Sequence, residues 1–301
     1  MYKNIFLTGA TGFVGSFILE KLTAYGFNVK ALIRNKNKIK RHYENCEYIV
    51  GDILDINTYI DSLEGIDVII NLVGIIREYK SKGVTFNNMH VKATKNLLTL
   101  AEKFGIKRFI QMSANGAAAD SHIKYYLSKY KAEELVKNSN TAYTIFRPSI
   151  IFGKGDGFIT MLAKNIKTLP FFINFGKGNL PFQLISVNDV ATYFADSINN
   201  KQTFNETFCL CGEKIYTFSE ILVMIQQAMQ LKRIFIPIPI ILIKGITLLL
   251  DTVSFFPFPL TYDQLEMLLK GNICCDNSID KVFHMKKISL EDQIIDIVKE
   301  V

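Results

Sequence analysis

The sequence predicts an α/β fold built on a doubly wound parallel sheet, with a small, mostly helical cap toward the C-terminus. Three observations carry that expectation. Short apolar runs of strand length alternate with longer segments of helical period through the first half of the chain. The first run leads directly into a turn with glycines at Gly9, Gly12 and Gly15, and a helical segment follows. A chain of 301 residues with 49% hydrophobic and 21% charged side chains can bury a sizeable core, which excludes a disordered linker or a disulfide-stapled miniprotein.

In chain order, strands are expected at residues 4–8, 29–33, 48–50, 68–73, 108–112 and 144–146. Helical segments at 14–24, 88–104 and 123–136 are each long enough to carry a right-handed crossover between parallel strands. After about residue 153 the rhythm gives way to loops rich in Gly, Phe and Pro, at 153–157 and 171–176, where a substrate cap would be built. Helices follow at 188–198, 217–229 and 290–301, with a proline-punctuated apolar run before the last. The expected division is a nucleotide domain over 1–152, rejoined by 183–213, and a cap region over 153–182 and 214–301.

The glycine turn is where spacing carries chemistry. A dinucleotide pyrophosphate must approach backbone amides at a helix N-terminus; side chains at the first two glycines would block the turn or the phosphate, and the third lets helix and strand pack closely. Thr8, Gly9, Thr11, Gly12, Phe13, Val14 and Gly15 are therefore the expected phosphate-binding set.

The motif Thr-Gly-x-x-Gly-x-x-Gly at the head of a chain of this length resembles the short-chain dehydrogenase/reductase superfamily, in its extended, atypical branch, and implies a Rossmann fold. The resemblance extends along most of the chain. Asp52 and Ile53 fall after the third strand, where such proteins meet the adenine; Leu72, Val73 and Gly74 end the fourth strand beside the cofactor; Pro148, Ser149 and Ile150 look like the segment that cradles the nicotinamide amide. The superfamily's chemistry implies a tyrosine and a lysine four residues apart, and Tyr125 and Lys129 are so spaced on a predicted helix. The ammonium would hold the ribose and lower the phenol's pKa. A hydroxyl just past the fifth strand would complete the set; Ser113 sits at the strand end, and Asn115 occupies the slot two residues later.

The cofactor expected is NADP(H) in preference to NAD(H). No Asp or Glu occurs in residues 28–43 to accept the ribose 2′-hydroxyl, and the second strand ends instead at Arg34, with Lys36 and Lys38 beyond. A guanidinium suits bidentate recognition of a 2′-phosphate. Within the branch, Met112–Ala117, Tyr143–Ser149, Gly153–Asp156 and the late Pro259–Gln264 are similar to the NADPH-binding accessory subunit of respiratory complex I and its bacterial relatives. That resemblance implies a nucleotide held as structural ligand or redox sensor, with respiratory-complex subunits or a membrane surface as partners. The alternative is an NAD(P)H-dependent reductase or epimerase acting on a quinone precursor, isoprenoid or sugar nucleotide. His90, where extended members more often have Asn, reads as a buried helix residue.

Net charge of +7 invites an acidic partner without choosing one, and no nucleic acid is expected. Five cysteines without a C-x-x-C pair, among four histidines, argue against a metal site and for reduced thiols in an intracellular compartment. The N-terminus lacks the pattern of a signal peptide, so a cytoplasmic location is expected, peripheral on the inner face of the membrane. The apolar segment 234–250 carries Pro237, Pro239 and Lys244 and is too short and interrupted to span. Beyond Pro239, Lys244, Thr247, Asp251 and Ser254 make a polar stripe on an apolar helix, and residues 239–260 are expected to dock on a membrane or a partner.

Overall fold

The computed structural model describes residues 1–252, 261–274, 276–299 and 301. The chain forms two compact units, one of Met1–Pro148, Asn188–Leu210 and Asp276–Met285, the other of Ser149–Val187, Cys211–Cys275 and Lys286–Val301. In chain order the elements up to Pro148 are β1 (Asn4–Thr8), α1 (Phe13–Ala24), β2 (Asn28–Ile33), β3 (Cys46–Val50), β4 (Val68–Asn71), α2 (Ala93–Lys103), β5 (Arg108–Met112), α3 (Lys124–Lys137) and β6 (Ala142–Pro148). Then come β7 (Ile151–Phe152), α4 (Ile159–Thr168), β8 (Phe171–Phe175), β9 (Pro181–Phe182), β10 (Ile185–Ser186), α5 (Val187–Ser197) and β11 (Glu206–Leu210). The last are β12 (Tyr216–Thr217), α6 (Phe218–Ala228), β13 (Ile234–Ile238), α7 (Ile240–Thr252), α8 (Tyr262–Leu269), α9 (Ser278–Val282) and α10 (Leu290–Val298).

The first unit holds a seven-stranded sheet in the order β11-β6-β5-β4-β1-β2-β3, parallel at every pairing. Strands covered on both faces need near-continuous apolar runs, and β4, Val-Ile-Ile-Asn, is buried throughout. Phe6, Ile69, Phe109 and Ile145 pack with Leu97 and Leu100 of α2 and Val136 of α3. Each such side chain contributes about 1.5–3 kcal/mol of burial. Because β1 pairs with both β2 and β4, the winding reverses there, and ligands of doubly wound sheets bind beyond the carboxyl ends of the strands at that point.

Buried Arg108 ties the sheet to its return segment. Its Nη1 donates to the Ala142 carbonyl at 2.9 Å, and Nη2 donates to Thr144 Oγ1, the Ser197 carbonyl and Thr203 Oγ1 at 2.6, 3.0 and 3.0 Å. The guanidinium also lies 4.3 Å from the centre of the Phe204 ring.

The second unit is mostly helical, with a core that includes Ile159, Leu162, Phe182, Phe218, Ile221, Leu265 and Leu290. Its helices start on their own sequence signals: Thr217 with Glu220 forms a capping box for α6, and Thr261 with Gln264 one for α8. Several expectations change here. Residues 171–176, read as a loop, contribute β8, which pairs in parallel with β13. Of the polar stripe of α7, Lys244 is half-exposed with its Nζ 2.7 Å from Glu266 Oε1 of α8, and buried Thr247 donates to the Ile243 carbonyl. The Asp251 side chain, Ser254 and residues 255–260 of the expected docking segment lie outside what is described. Cys211 and Cys274 form a disulfide with Cα atoms 6.1 Å apart, where reduced cysteines were expected. They are 63 residues apart, so only the fold brings them together.

Candidate nucleotide-binding site

The glycine turn follows β1 at the point where the winding reverses. Gly9 takes φ +75°, which a side chain would strain, and a Cβ on Gly15 would lie 2.0 Å from the Gly9 carbonyl oxygen. The first turn of α1 thus lies against the end of β1. Gly12 is the N-cap of α1 and supplies no side-chain cap, so the amides of the first turn are left for another acceptor. That uncapped cradle fits a pyrophosphate. Thr11, Phe13 and Val14 are partly exposed around it. Thr8 has a different part: its hydroxyl is buried and donates to Asn71 Oδ1 at 2.8 Å, and the Leu72 amide donates back to it at 3.3 Å. Asn71 Nδ2 continues to Thr94 Oγ1 and Gln111 Oε1. This buried polar set fixes the carboxyl ends of β1, β4 and β5 against one another.

Arg34 is exposed at the end of β2, while Asp52 accepts from the Leu54 amide at 3.0 Å after β3. Ile53 is buried and its carbonyl accepts from Asn96. A small cavity of about 50 Å³ is lined by Ala10 and Thr11 of the glycine turn together with Lys38, Lys40 and Arg41 of the segment after β2. Arg41 is paired with Glu20 at 3.0 Å, and Lys38 is exposed.

On α3, Lys129 is buried, its Nζ donating to the Met112 carbonyl at 3.3 Å. A Cβ on Gly74 would lie 2.9 Å from that Nζ, so glycine leaves room for the ammonium at the end of β4. Burial brings the lysine down to about 8, with the Glu133 carboxylate pulling the other way. The Tyr125 phenol moves opposite to the expectation: burial pushes it above its ordinary value. Its ring meets those of Phe86, His90 and Tyr126 at centroid distances of 5.8, 5.6 and 5.4 Å.

Ser113 lies at the end of β5 with a protein partner. Its hydroxyl donates to buried Glu133 at 2.5 Å, and Glu133 in turn receives Arg147 Nε and Nη2 at 2.8 and 2.5 Å. A hydroxyl committed to a buried carboxylate has no proton left for a substrate oxygen. Asn115 is the other residue of that segment, held by its amide to the Pro148 carbonyl at 2.9 Å. Pro148 ends β6, while Ser149 and Ile150 open the second unit; the Ser149 hydroxyl donates to the Gln183 carbonyl, and the Ile150 carbonyl pairs with the Ile185 amide.

Two groups escape the sequence reading. His90 is buried, as expected, but also joins two elements of the site. The Ile75 amide donates to its Nε2 at 3.1 Å, so Nδ1 carries the proton and donates to Ser128 Oγ at 2.8 Å, and Ser128 donates to the Tyr125 carbonyl. A wide π-type turn over Asn87–Lys92 precedes α2 where one continuous helix was expected, and it carries His90. Glu133 is the second. Its spacing, one turn beyond Lys129 on the same helix face, was a signal available in the sequence.

Among the described residues no group of three or more His, Cys, Asp or Glu side chains is placed to hold a metal ion, and no helix is long and apolar enough to cross a membrane.

A parallel sheet that reverses at β1, with a bare glycine cradle there and a tyrosine-lysine helix beside the end of β4, defines a nucleotide-binding protein of the epimerase/dehydratase fold. Residues 9–201 match the model of the family described as NAD(P)H-binding, and the chain belongs to that family. It is 27% identical over 266 residues to the 40 kDa subunit of NADH-ubiquinone oxidoreductase of Neurospora crassa, covering 86% of this chain and 68% of the relative. It is 28% identical over 291 residues to the alpha subcomplex subunit 9 of NADH dehydrogenase of Arabidopsis thaliana, covering 90% and 71%. An undecaprenol-linked N-acetylglucosaminyl 4-epimerase of Escherichia coli is 25% identical, covering 81% and 78%. In fold the chain matches UDP-glucose 4-epimerase of Thermotoga maritima with TM-score 0.76 at 17% identity, covering 98% and 97%.

Proposed function

We propose that the protein holds NADP(H) as a bound ligand and serves as an accessory protein of a respiratory-chain complex at the membrane face. The observation that carries this reading is the commitment of Ser113 to Glu133, together with a Tyr125 phenol pushed up by burial. The uncapped start of α1 suits a nucleotide pyrophosphate, while the Ser113 hydroxyl is engaged by Glu133. Relatives that are subunits of mitochondrial NADH dehydrogenase, alike over most of the chain, support the choice of partner.

In this reading the amides of the first turn of α1 bind the pyrophosphate, Arg34 with Lys38 receives the 2′-phosphate, and Asp52 with Ile53 borders the adenine. Leu72, Val73 and Gly74 border the nicotinamide half, the Lys129 ammonium holds its ribose, and Pro148, Ser149 and Ile150 form its cradle. The nicotinamide, when bound, supplies the capacity to give or accept a hydride. Native mass spectrometry of gently extracted protein tests the whole reading: a retained NADP(H) and a respiratory subunit are expected, and a nucleotide-free monomer overturns it.

A second reading is an NAD(P)H-dependent oxidoreductase or epimerase acting on a quinone precursor, isoprenoid or sugar nucleotide. Tyr125 and Lys129 on one face of α3 favour it, as does the similarity to an epimerase of a polyprenol-linked sugar. Oxidation of bound NADPH on adding such compounds distinguishes the two.

A further inference from the structure

We propose that the ribbon formed by β8 and β13, together with the first turn of α7, docks on an anionic phospholipid surface. The register pairs Phe171 with Ile234 and Ile173 with Ile236. These four alternate residues turn outward, 51%, 71%, 41% and 40% exposed, while Phe172 and Phe235 between them pack on the core of the second unit. Alternation of this kind normally leaves polar side chains on the wet face of a strand. Here the outward face is apolar as well. Ile241 and Leu242 at the start of α7 extend the exposed set, at 79% and 57%. Contiguous apolar exposure marks a binding surface, and a ribbon of only two strands is marginal in water unless something covers it.

Charge selects the occupant. Between Asp156 and Asp189, and again between Glu220 and Asp251, the sequence has no Asp or Glu, yet it carries Lys164, Lys167, Lys177, Lys232 and Arg233, besides Lys244, which Glu266 pairs. Arg233 donates to the carbonyls of Ile166 and Lys167, which brings the cationic start of β13 beside the end of α4. Lys177 follows β8, and Lys232 precedes β13. The outward apolar residues are Ile, Leu and Phe, without the Trp or Tyr anchors that concentrate energy in protein interfaces. Apolar side chains with Lys177 after one strand and Lys232 before the other match an acyl boundary beneath anionic headgroups.

The choice of a lipid surface rests on the membrane-face placement proposed above, and the two are separable by experiment. The full chain is sedimented with phosphatidylcholine vesicles with and without phosphatidylglycerol, while NADPH binding is measured in the same samples. Binding is expected only with phosphatidylglycerol and should weaken roughly tenfold or more as salt rises from about 0.1 to about 0.5 M. Phe171→Glu with Ile234→Glu should abolish it, and Lys177→Glu with Lys232→Glu should weaken it strongly. Because these side chains are exposed, both variants should keep their circular dichroism and NADPH affinity. Vesicle binding that ignores phosphatidylglycerol, or that survives both double variants, overturns the proposal. So does an unmodified protein that ignores both vesicle types, which leaves a protein partner as the occupant. Loss of NADPH binding with vesicle binding intact overturns the nucleotide reading alone.

Discussion

His90 shows how much a single buried ring can set. With Nε2 accepting from Ile75 and Nδ1 donating to Ser128, its neutral tautomer joins the end of β4 to the helix of Tyr125, and burial with Lys129 nearby brings its pKa down to about 2. The folded protein refuses a proton that the unfolded chain takes up below the ordinary histidine value of about 6.5. The stability His90 confers is therefore complete above that value and is lost as pH falls, by up to about 1.4 kcal/mol per pH unit. Denaturant unfolding between about pH 7 and about pH 5 should show this slope, and His90→Asn should flatten it. Lys129, brought down to about 8, is charged at neutral pH and loses its proton as pH rises further. If the ammonium holds the ribose, NADPH affinity should fall about tenfold from pH 7 to pH 9 and become pH-independent in Lys129→Ala. Tyr125→Phe should leave that affinity nearly unchanged. Calorimetric titration measures both.

At the scale of elements, the turn between β1 and α1 is limited by space. With the Gly9 carbonyl oxygen 2.0 Å from the position of a Cβ on Gly15, Gly15→Ala must push α1 away from the strand end. Overpacking of this kind costs about 1–3 kcal/mol, so thermal unfolding should move down and NADPH binding should drop with it. The exit of β2 is where the proposed reading of the 2′-phosphate is tested. Arg34→Asp removes the contact proposed for the 2′-phosphate and adds repulsion, each worth about 1–3 kcal/mol, which should turn the preference from NADPH toward NADH. Equal affinities for the two nucleotides in the unmodified protein would remove Arg34 from that role.

For the whole molecule, the disulfide is the constraint that changes the most. Cys211 and Cys274 close a loop across the second unit with 63 residues of separation. A crosslink of that span stabilises by about 2–4 kcal/mol, chiefly by restricting the unfolded chain. Reduction, or Cys274→Ser, should lower the denaturant midpoint of the protein accordingly, with alkylation and intact mass counting the thiols released. An unchanged midpoint on reduction would show that packing alone holds the second unit. The first unit carries no such link. Its sheet is held by continuous apolar strands and by the Arg108 contacts that bind the return segment to β5 and β6.

The parallel sheet, the glycine turn and the helix bearing Tyr125 and Lys129 were legible in the residues because each rests on local spacing: apolar period, glycines three apart, and side chains one helical turn apart. What the spacing left open was the partner each side chain takes. Ser113 is given to Glu133, Thr8 to Asn71, Cys211 to Cys274 and Lys244 to Glu266, and in every case the partner arrives from a distant part of the chain or from the neighbouring helix. β8 was hidden for the same reason. Its Gly- and Pro-flanked residues become a strand because β13, more than fifty residues later, supplies the hydrogen bonds that the segment cannot make alone. Local pattern fixes elements, since period and propensity act over a few residues. Long-range pairing fixes which polar groups are spent on the fold and which remain for a ligand, since a buried donor or acceptor must find its partner wherever the chain brings one.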